Sequence, residues 1–166
     1  MNYKLLSNEY TVKKLGKSDI DDIYNLFLGN PLYYEYCPPK PTRDNILSDM
    51  FELPPNTTMS DKYYIGFYRN KNLIAVMDLI DGYPSKDIAF IGFFMTSSSI
   101  QKKGVGSKII SDTCKYLKEV NFSAARLAWV KGNPQAEHFW TKNQFVGIKE
   151  TSSIAADVVI LAERKL

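Results

Sequence analysis

The chain has 166 residues, 45% of them hydrophobic, and a formal net charge of +3. That length and apolar share suit one domain, residues 1–166, with a core of its own. The charges are mild and scattered, which argues against a dedicated nucleic-acid surface, and no apolar run approaches the ~18 residues that would cross a membrane. The opening MNYKLLSNEY lacks the apolar stretch of a signal peptide. Cys37 and Cys114 fit no disulfide or metal spacing. The expectation is a cytoplasmic protein with reduced thiols and no metal, in which Cys114 is a small core residue.

Tyr10–Leu15 reads as a first strand. Ser18-Asp19-Ile20-Asp21 then reads as a capping box with Ser18 as N-cap. Ile20, Ile23, Tyr24, Phe27 and Leu28 follow at helical spacing until Gly29-Asn30-Pro31 stops the helix. PLYYEYCPPKP reads as a loop. Thr42 caps a second helix with Ile46, Leu47, Met50 and Phe51 on one face, closed by Pro54-Pro55. Lys62–Arg69, Leu73–Ile80 and Asp87–Thr96 read as strands joined by tight turns at Asn70-Lys71-Asn72 and Asp81-Gly82-Tyr83-Pro84, hence an antiparallel meander. Val105, Ile109, Ile110, Leu117 and Val120 give the next helix its buried face. Ala124–Val130 is a strand. Asn133 as N-cap and Pro134 at the first helical position open a fourth helix. Phe145–Glu150 and Asp157–Ala162 are the last strands. The order is β-α-α-β-β-β-α-β-α-β-β, an α/β (mixed α+β) chain whose strand-helix-strand connections near residues 90–130 imply some parallel pairing in a mixed sheet.

The turn into the third helix, Gln101-Lys102-Lys103-Gly104-Val105-Gly106, has the chemistry of an anion cradle. Glycines let backbone approach an anion, successive amides converge on it, and the helix N-terminus adds its dipole. A Walker A loop fails, because Ser107-Lys108 follow Gly106 and no glycine stands five residues before it. The dinucleotide fingerprint fails at its third glycine, where Ile109 stands. A glycine-containing strand-to-helix turn with solvated lysines is the plain structural alternative.

About thirty residues on lies NPQAEHFWTKNQF. With it the chain resembles the GNAT superfamily of acetyl-CoA-dependent N-acetyltransferases. Gln101, Gly104 and Gly106 match that family's [QR]-x-x-G-x-[GA] turn. Asn133, Ala136, Phe139, Trp140 and Phe145 match its N-x-x-A helix, and the element order agrees along nearly the whole chain. The resemblance implies a splayed, mixed sheet of about seven strands with four helices on both faces. It implies acetyl-CoA as co-substrate, its diphosphate on the amides of Gln101, Lys102, Lys103, Gly104, Val105, Gly106 and Ser107. Its pantetheine arm would lie between the strand ending at Thr96 and the strand Ala124–Val130, against Phe94, Met95 and Thr96, with Asn133, Ala136 and Trp140 alongside. The backbone amide of Met95 is the implied oxyanion donor. Many members carry a tyrosine acid where this chain has Trp140. An indole N–H cannot supply that proton, so Trp140 is read as a wall of the acyl end, while Phe139 is read as core packing.

For the general base, Asp78 in LIAVMDLI stands out, because it shares a face with Ile74, Val76 and Ile80, where an unpaired carboxylate is costly. A salt bridge is the competing role. His138 reads as exposed and Asp81 as turn chemistry. Tyr33, Glu35 and Tyr83 are candidate acceptor contacts. The expected activity is direct transfer of acetyl to a primary amine, on a small molecule or a protein, with a homodimer as a further expectation. A non-catalytic CoA-binding module and a protein holding some other phosphate are the alternatives.

Overall fold

A computed structural model describes residues 1–152 and 158–166. Seven strands form one sheet: β1 (Thr11–Lys14), β2 (Lys62–Arg69), β3 (Asn72–Ile80), β4 (Ile88–Thr96), β5 (Ala124–Val130), β6 (Val146–Thr151) and β7 (Val159–Lys165). Their spatial order is β1-β2-β3-β4-β5-β7-β6. Every neighbouring pair is antiparallel except β4 and β5, which run parallel. Five α-helices accompany the sheet: α1 (Ile20–Leu28), α2 (Pro31–Tyr36), α3 (Arg43–Asp49), α4 (Val105–Glu119) and α5 (Pro134–Lys142). The mixed sheet and meander are as expected; the expected four helices are five. The start of the last strand, expected at Asp157, lies outside the described residues.

The β2–β3 turn shows why the meander forms. Asn70 and Lys71 both take left-handed backbone, at φ 49° and 68°, and that twist matches two antiparallel strands. Residues 31–36 become α2 because Pro31 sits at the first helical position, where its fixed φ and missing N–H cost nothing. Ser18 does not cap α1. A 3₁₀ turn, Lys17–Asp19, precedes the helix, and the Asp19 carboxylate reaches back to accept from the Gly16 amide at 2.8 Å. At the end of α3 Met50 is buried and Phe51 is 54% exposed, so the two do not share the expected face. Val120 caps the end of α4 and is exposed as well.

Two apolar clusters lie on opposite faces of the sheet. One gathers Ile65, Phe67, Met77, Leu79 and Ile91 with Ile109, Ile110 and Leu117 of α4 and Trp140 of α5. The other gathers Tyr64, Val76 and Met95 with Ile23, Leu26 and Phe27 of α1 and Ile46 of α3. Ile74 joins the first cluster, against expectation. Phe67 pairs with Ala75 and Tyr68 with Leu73, so Ile74 is an extra residue that switches faces. A second irregularity falls on β4: Asp78 pairs with Phe93 and Leu79 with Ile91, leaving Gly92 as the extra residue.

Candidate active site

β4 and β5 are in register only from Ile88–Ala124 to Ile91–Leu127. Beyond that point β5 continues against β7 as far as Val130–Val159, and the end of β4 parts from it. The bulge at Gly92 marks where the parting begins. A gap therefore opens between Phe93–Thr96 and Ala128–Val130, in the middle of the sheet.

The register decides which groups line it. The Ser97 amide donates to the Ile74 carbonyl at 2.8 Å. Followed back along β4, with Thr96 opposite Ala75 and Met95 opposite Val76, the antiparallel alternation makes Met95 and Val76 a hydrogen-bonded pair. Met95 thus spends its amide and carbonyl on β3. The polar groups of Phe94 and Thr96 point the other way, into the gap. This corrects the expectation that Met95 offers the oxyanion donor. The Met95 side chain is buried on the α1 side. The Thr96 carbonyl is engaged: it accepts from Asn30 Nδ2 at 3.1 Å and from Gln101 Nε2 at 3.4 Å.

At the mouth of the gap stands the turn. Lys102 and Gly104 both adopt left-handed backbone, φ 60° and 79°. Gly104 is the N-cap of α4, and no side chain caps that helix, which leaves first-turn amides for a ligand. A Cβ built on Gly104 would meet nothing within 4 Å, whereas one on Gly106 would stand 3.2 Å from Phe139 and 3.4 Å from Thr96. Lys102 is exposed, and Lys103 donates to the Ser99 carbonyl at 2.9 Å. Val105 is buried, so only its amide can serve a ligand. Ser107 Oγ accepts from Asn143 Nδ2 at 3.2 Å. A cradle of amides with an open face and no acidic residue in the first turn of α4 fits a diphosphate.

α5 walls the gap from the α4 side. Asn133 is buried, and its Oδ1 accepts from the Ala136 amide at 3.1 Å. Phe139 is half-buried, stacks on Phe94 at 5.9 Å and meets Gly106. Trp140 is 8% exposed and packs edge-on against Phe139 and Phe145 and, at 6.1 Å, against Phe94. The roles read from the sequence are therefore exchanged: Phe139 faces the cradle, and Trp140 packs in the core.

On the other face, Tyr64, Asp78 and Phe93 form one row across β2, β3 and β4. Asp78 Oδ2 takes a 2.7 Å ion pair from Lys62, itself 2% exposed, while Oδ1 is buried with no hydrogen-bond partner. A Cβ on Gly92 would stand 3.0 Å from Oδ2, so the bulge glycine makes room for this carboxylate. Burial pushes the Asp78 carboxyl above the ordinary range, Lys62 pulls it back, and Asp49 and Glu52 add to the rise. Tyr33 packs edge-on against Phe93 at 5.6 Å, and burial raises its phenol well above the usual value. Glu35 is exposed on α2. Tyr83 packs edge-on against Phe90, before the bulge. The structure brings Tyr33 and Asp78 to one neighbourhood around Phe93 and leaves Glu35 outside it. His138 is exposed. Lys62, Gly92, Asn30 and Phe139 escaped sequence reasoning as site residues. For Gly92 the signal was present, since a lone glycine inside an apolar strand marks a bulge.

A family model described as the Acetyltransferase (GNAT) family matches residues 20–145. The chain belongs to the GNAT acetyltransferase family. It is therefore an acyltransferase, and the turn, the gap and the α5 wall all lie within the matched region. No curated protein sequence matches this family member, but solved structures share its fold. An acetyltransferase from Thermus thermophilus superimposes with a TM-score of 0.79 at 16% identity, covering 98% of this chain and 99% of that one. A chimeric spermidine N-acetyltransferase built from the Vibrio cholerae enzyme gives 0.70 at 19% identity, covering 95% and 96%. The PaiA N-acetyltransferase of Thermoplasma acidophilum, solved with coenzyme A, gives 0.66 at 15% identity, covering 95% and 99%. Among the described residues of this GNAT protein no His, Cys, Asp and Glu group could hold a metal, and no helix is long and apolar enough to cross a membrane.

Proposed function

We propose that this protein transfers acetyl from acetyl-CoA directly to a primary amine, carried by a small molecule or by a protein. The observation that supports this most strongly is the juxtaposition of the amide turn at Gln101–Ser107 with a strand edge where the Phe94 amide and carbonyl and the Thr96 amide face an open gap. The turn suits the diphosphate. The edge suits an extended arm bearing amides, which can pair with it as an added strand does. When bound, the thioester supplies the activated acyl group. The Phe94 amide is the reading for the oxyanion donor, because it faces the gap beside the bulge.

An incoming amine must be neutral to attack. Asp78 is the proposed base: it stands next to Phe93, is largely buried, and has one oxygen without a partner. Its carboxyl, raised by burial and still paired to Lys62, is more basic than an ordinary carboxylate, as a proton acceptor should be. Tyr33, Phe93 and Tyr64 supply the aromatic walls around it. No tyrosine acid stands at Trp140, and a thiol of pKa ~8.5 leaves without one. No cysteine nucleophile is needed: Cys114 is 1% exposed, and burial pushes its thiol up to about 11.

The test is calorimetric titration of acetyl-CoA into the wild type and into Gly104→Glu, followed by acetyl transfer to a panel of polyamines, aromatic amines and peptides. Binding by the wild type and its loss in a folded Gly104→Glu supports the reading. A folded wild type that ignores acetyl-CoA removes it.

A further inference from the structure

Asn30 ends α1 and stands directly before α2, and a helix stop would explain only part of what its side chain does. Its Nδ2 donates to the Leu26 carbonyl at 2.9 Å, which is ordinary satisfaction of a helix end. The same Nδ2 also donates to the Thr96 carbonyl at 3.1 Å, 66 residues away in sequence. Its Oδ1 accepts from Gln101 Nε2 at 2.6 Å. Helix termination requires neither of these last two bonds. Through them one amide side chain ties the end of α1 to the end of β4 and to the first residue of the amide turn.

A second observation points to the same joint. A Cβ on Gly29 would stand 3.0 Å from Ser98 Oγ and 3.3 Å from the Leu26 carbonyl, so the backbone of α1 is pressed against the segment leading from β4 into the turn. The Gln101 backbone is extended there, at φ −63° and ψ 157°, and Lys102 follows in the left-handed region. Left-handed backbone at a lysine is unfavourable and needs outside support. The residue just before it, Gln101, is anchored through its Nε2, which donates to both Asn30 Oδ1 and the Thr96 carbonyl.

We propose that Asn30 is a positioning residue for the cofactor: through Gln101 it holds the amide turn in the shape that receives the diphosphate. The proposal rests on reading that turn as the diphosphate site. Asn30 touches no reacting atom. It acts before binding, by sparing the ligand the cost of ordering the turn.

The test is a cycle of CoA titrations on the wild type, Asn30→Ala, Gln101→Ala and the double variant, with folding verified by circular dichroism and thermal melting. Loss of a neutral hydrogen bond and of the order it maintains corresponds to about a tenfold rise in Kd. The expected result is about tenfold for each single variant and no further loss in the double variant, because both remove one linkage. Hydrogen exchange of the unliganded protein adds a reading independent of ligand: amides 101–107 should exchange faster in Asn30→Ala, with those of the sheet unchanged. If Asn30→Ala does not fold, Asn30→Leu replaces it. That variant keeps nearly the same volume, offers neither an acceptor to Gln101 nor a donor to the Thr96 carbonyl, and should weaken CoA about as much. A folded Asn30→Ala whose Kd lies within twofold of wild type overturns the proposal and leaves the diphosphate reading intact. So do losses that multiply in the double variant. A folded wild type that does not bind CoA overturns both.

Discussion

Lys62 and Asp78 form the most demanding pair in the molecule. Both charges are out of water, and only one Asp78 oxygen is answered. Removing one partner of a buried pair leaves a lone buried charge, whereas replacing both with apolar groups can be neutral. Lys62→Met should therefore cost about 3–5 kcal/mol, and Lys62→Met with Asp78→Leu should recover most of that loss; urea unfolding of the variants measures both. The same pair sets a pH signature. If Asp78 is the base, kcat/KM rises with pH as its carboxyl ionises, at a midpoint above the ordinary carboxylate range. Lys62→Met withdraws the charge that favours ionisation, so the midpoint should move further up. A midpoint that does not move in a folded, active variant would exclude Asp78. Only half of this pair was readable before folding. Asp78 drew notice as a carboxylate in an apolar strand, but its partner lies sixteen positions away, and only the β2–β3 register brings Lys62 beside it.

At the scale of elements, two short pieces do most to shape the site. The turn before α4 needs glycine at 104 for its backbone, not for space: φ is 79° and no atom stands within 4 Å of a Cβ. Gly104→Ala should destabilise by about 1–2 kcal/mol and weaken CoA mildly, in contrast to the loss expected of Gly104→Glu; melting curves and titration separate the two effects. In α5 the burial of Trp140 predicts that Trp140→Ala costs about 3–5 kcal/mol, while Phe139→Ala, at a half-buried position, costs less stability and raises the Kd for CoA. Strand positions, the α4 face and the Asn133 cap were legible because periodicity and capping are local. Neighbouring aromatics on one helix turn are not: nothing in Phe139-Trp140 says which faces the core until α5 has docked. The bulges at Ile74 and Gly92 were hidden for a similar reason, since a slip of register is a property of two strands.

At the scale of the molecule, the sheet sets the amide turn with α4 and α5 on one face, and Asp78 and the tyrosines Tyr33 and Tyr64 with α1–α3 on the other. Element order and the two motifs made helices on both faces legible, but not which helix takes which face. The acceptor side was less so, because its residues come from α2, β2 and β3 with no motif linking them. Its carboxyls also mark the whole fold. Burial raises both Asp49 and Asp78, so the folded chain keeps protons there that the unfolded chain has released. Their contribution to stability is therefore greatest at the acid end of that window and falls as pH rises from about 4 through the raised values. Asp61 and Asp87, held below the ordinary range by their hydrogen bonds, act in the opposite sense, so the expected sign lies in the comparison: from acid toward neutral pH, the thermal midpoint of Asp49→Asn should gain on that of the wild type.

The short parallel seam between β4 and β5 has a mechanical consequence. β1–β4 and β5–β7 are two plates whose backbones pair with each other along Ile88–Ile91 and Ala124–Leu127, like covers on a spine. A ligand lodged past that seam would act as a splint, lending the sheet the strand it lacks. On the proposed reading, stiffness here would be borrowed from the cofactor and returned each time the spent carrier departs.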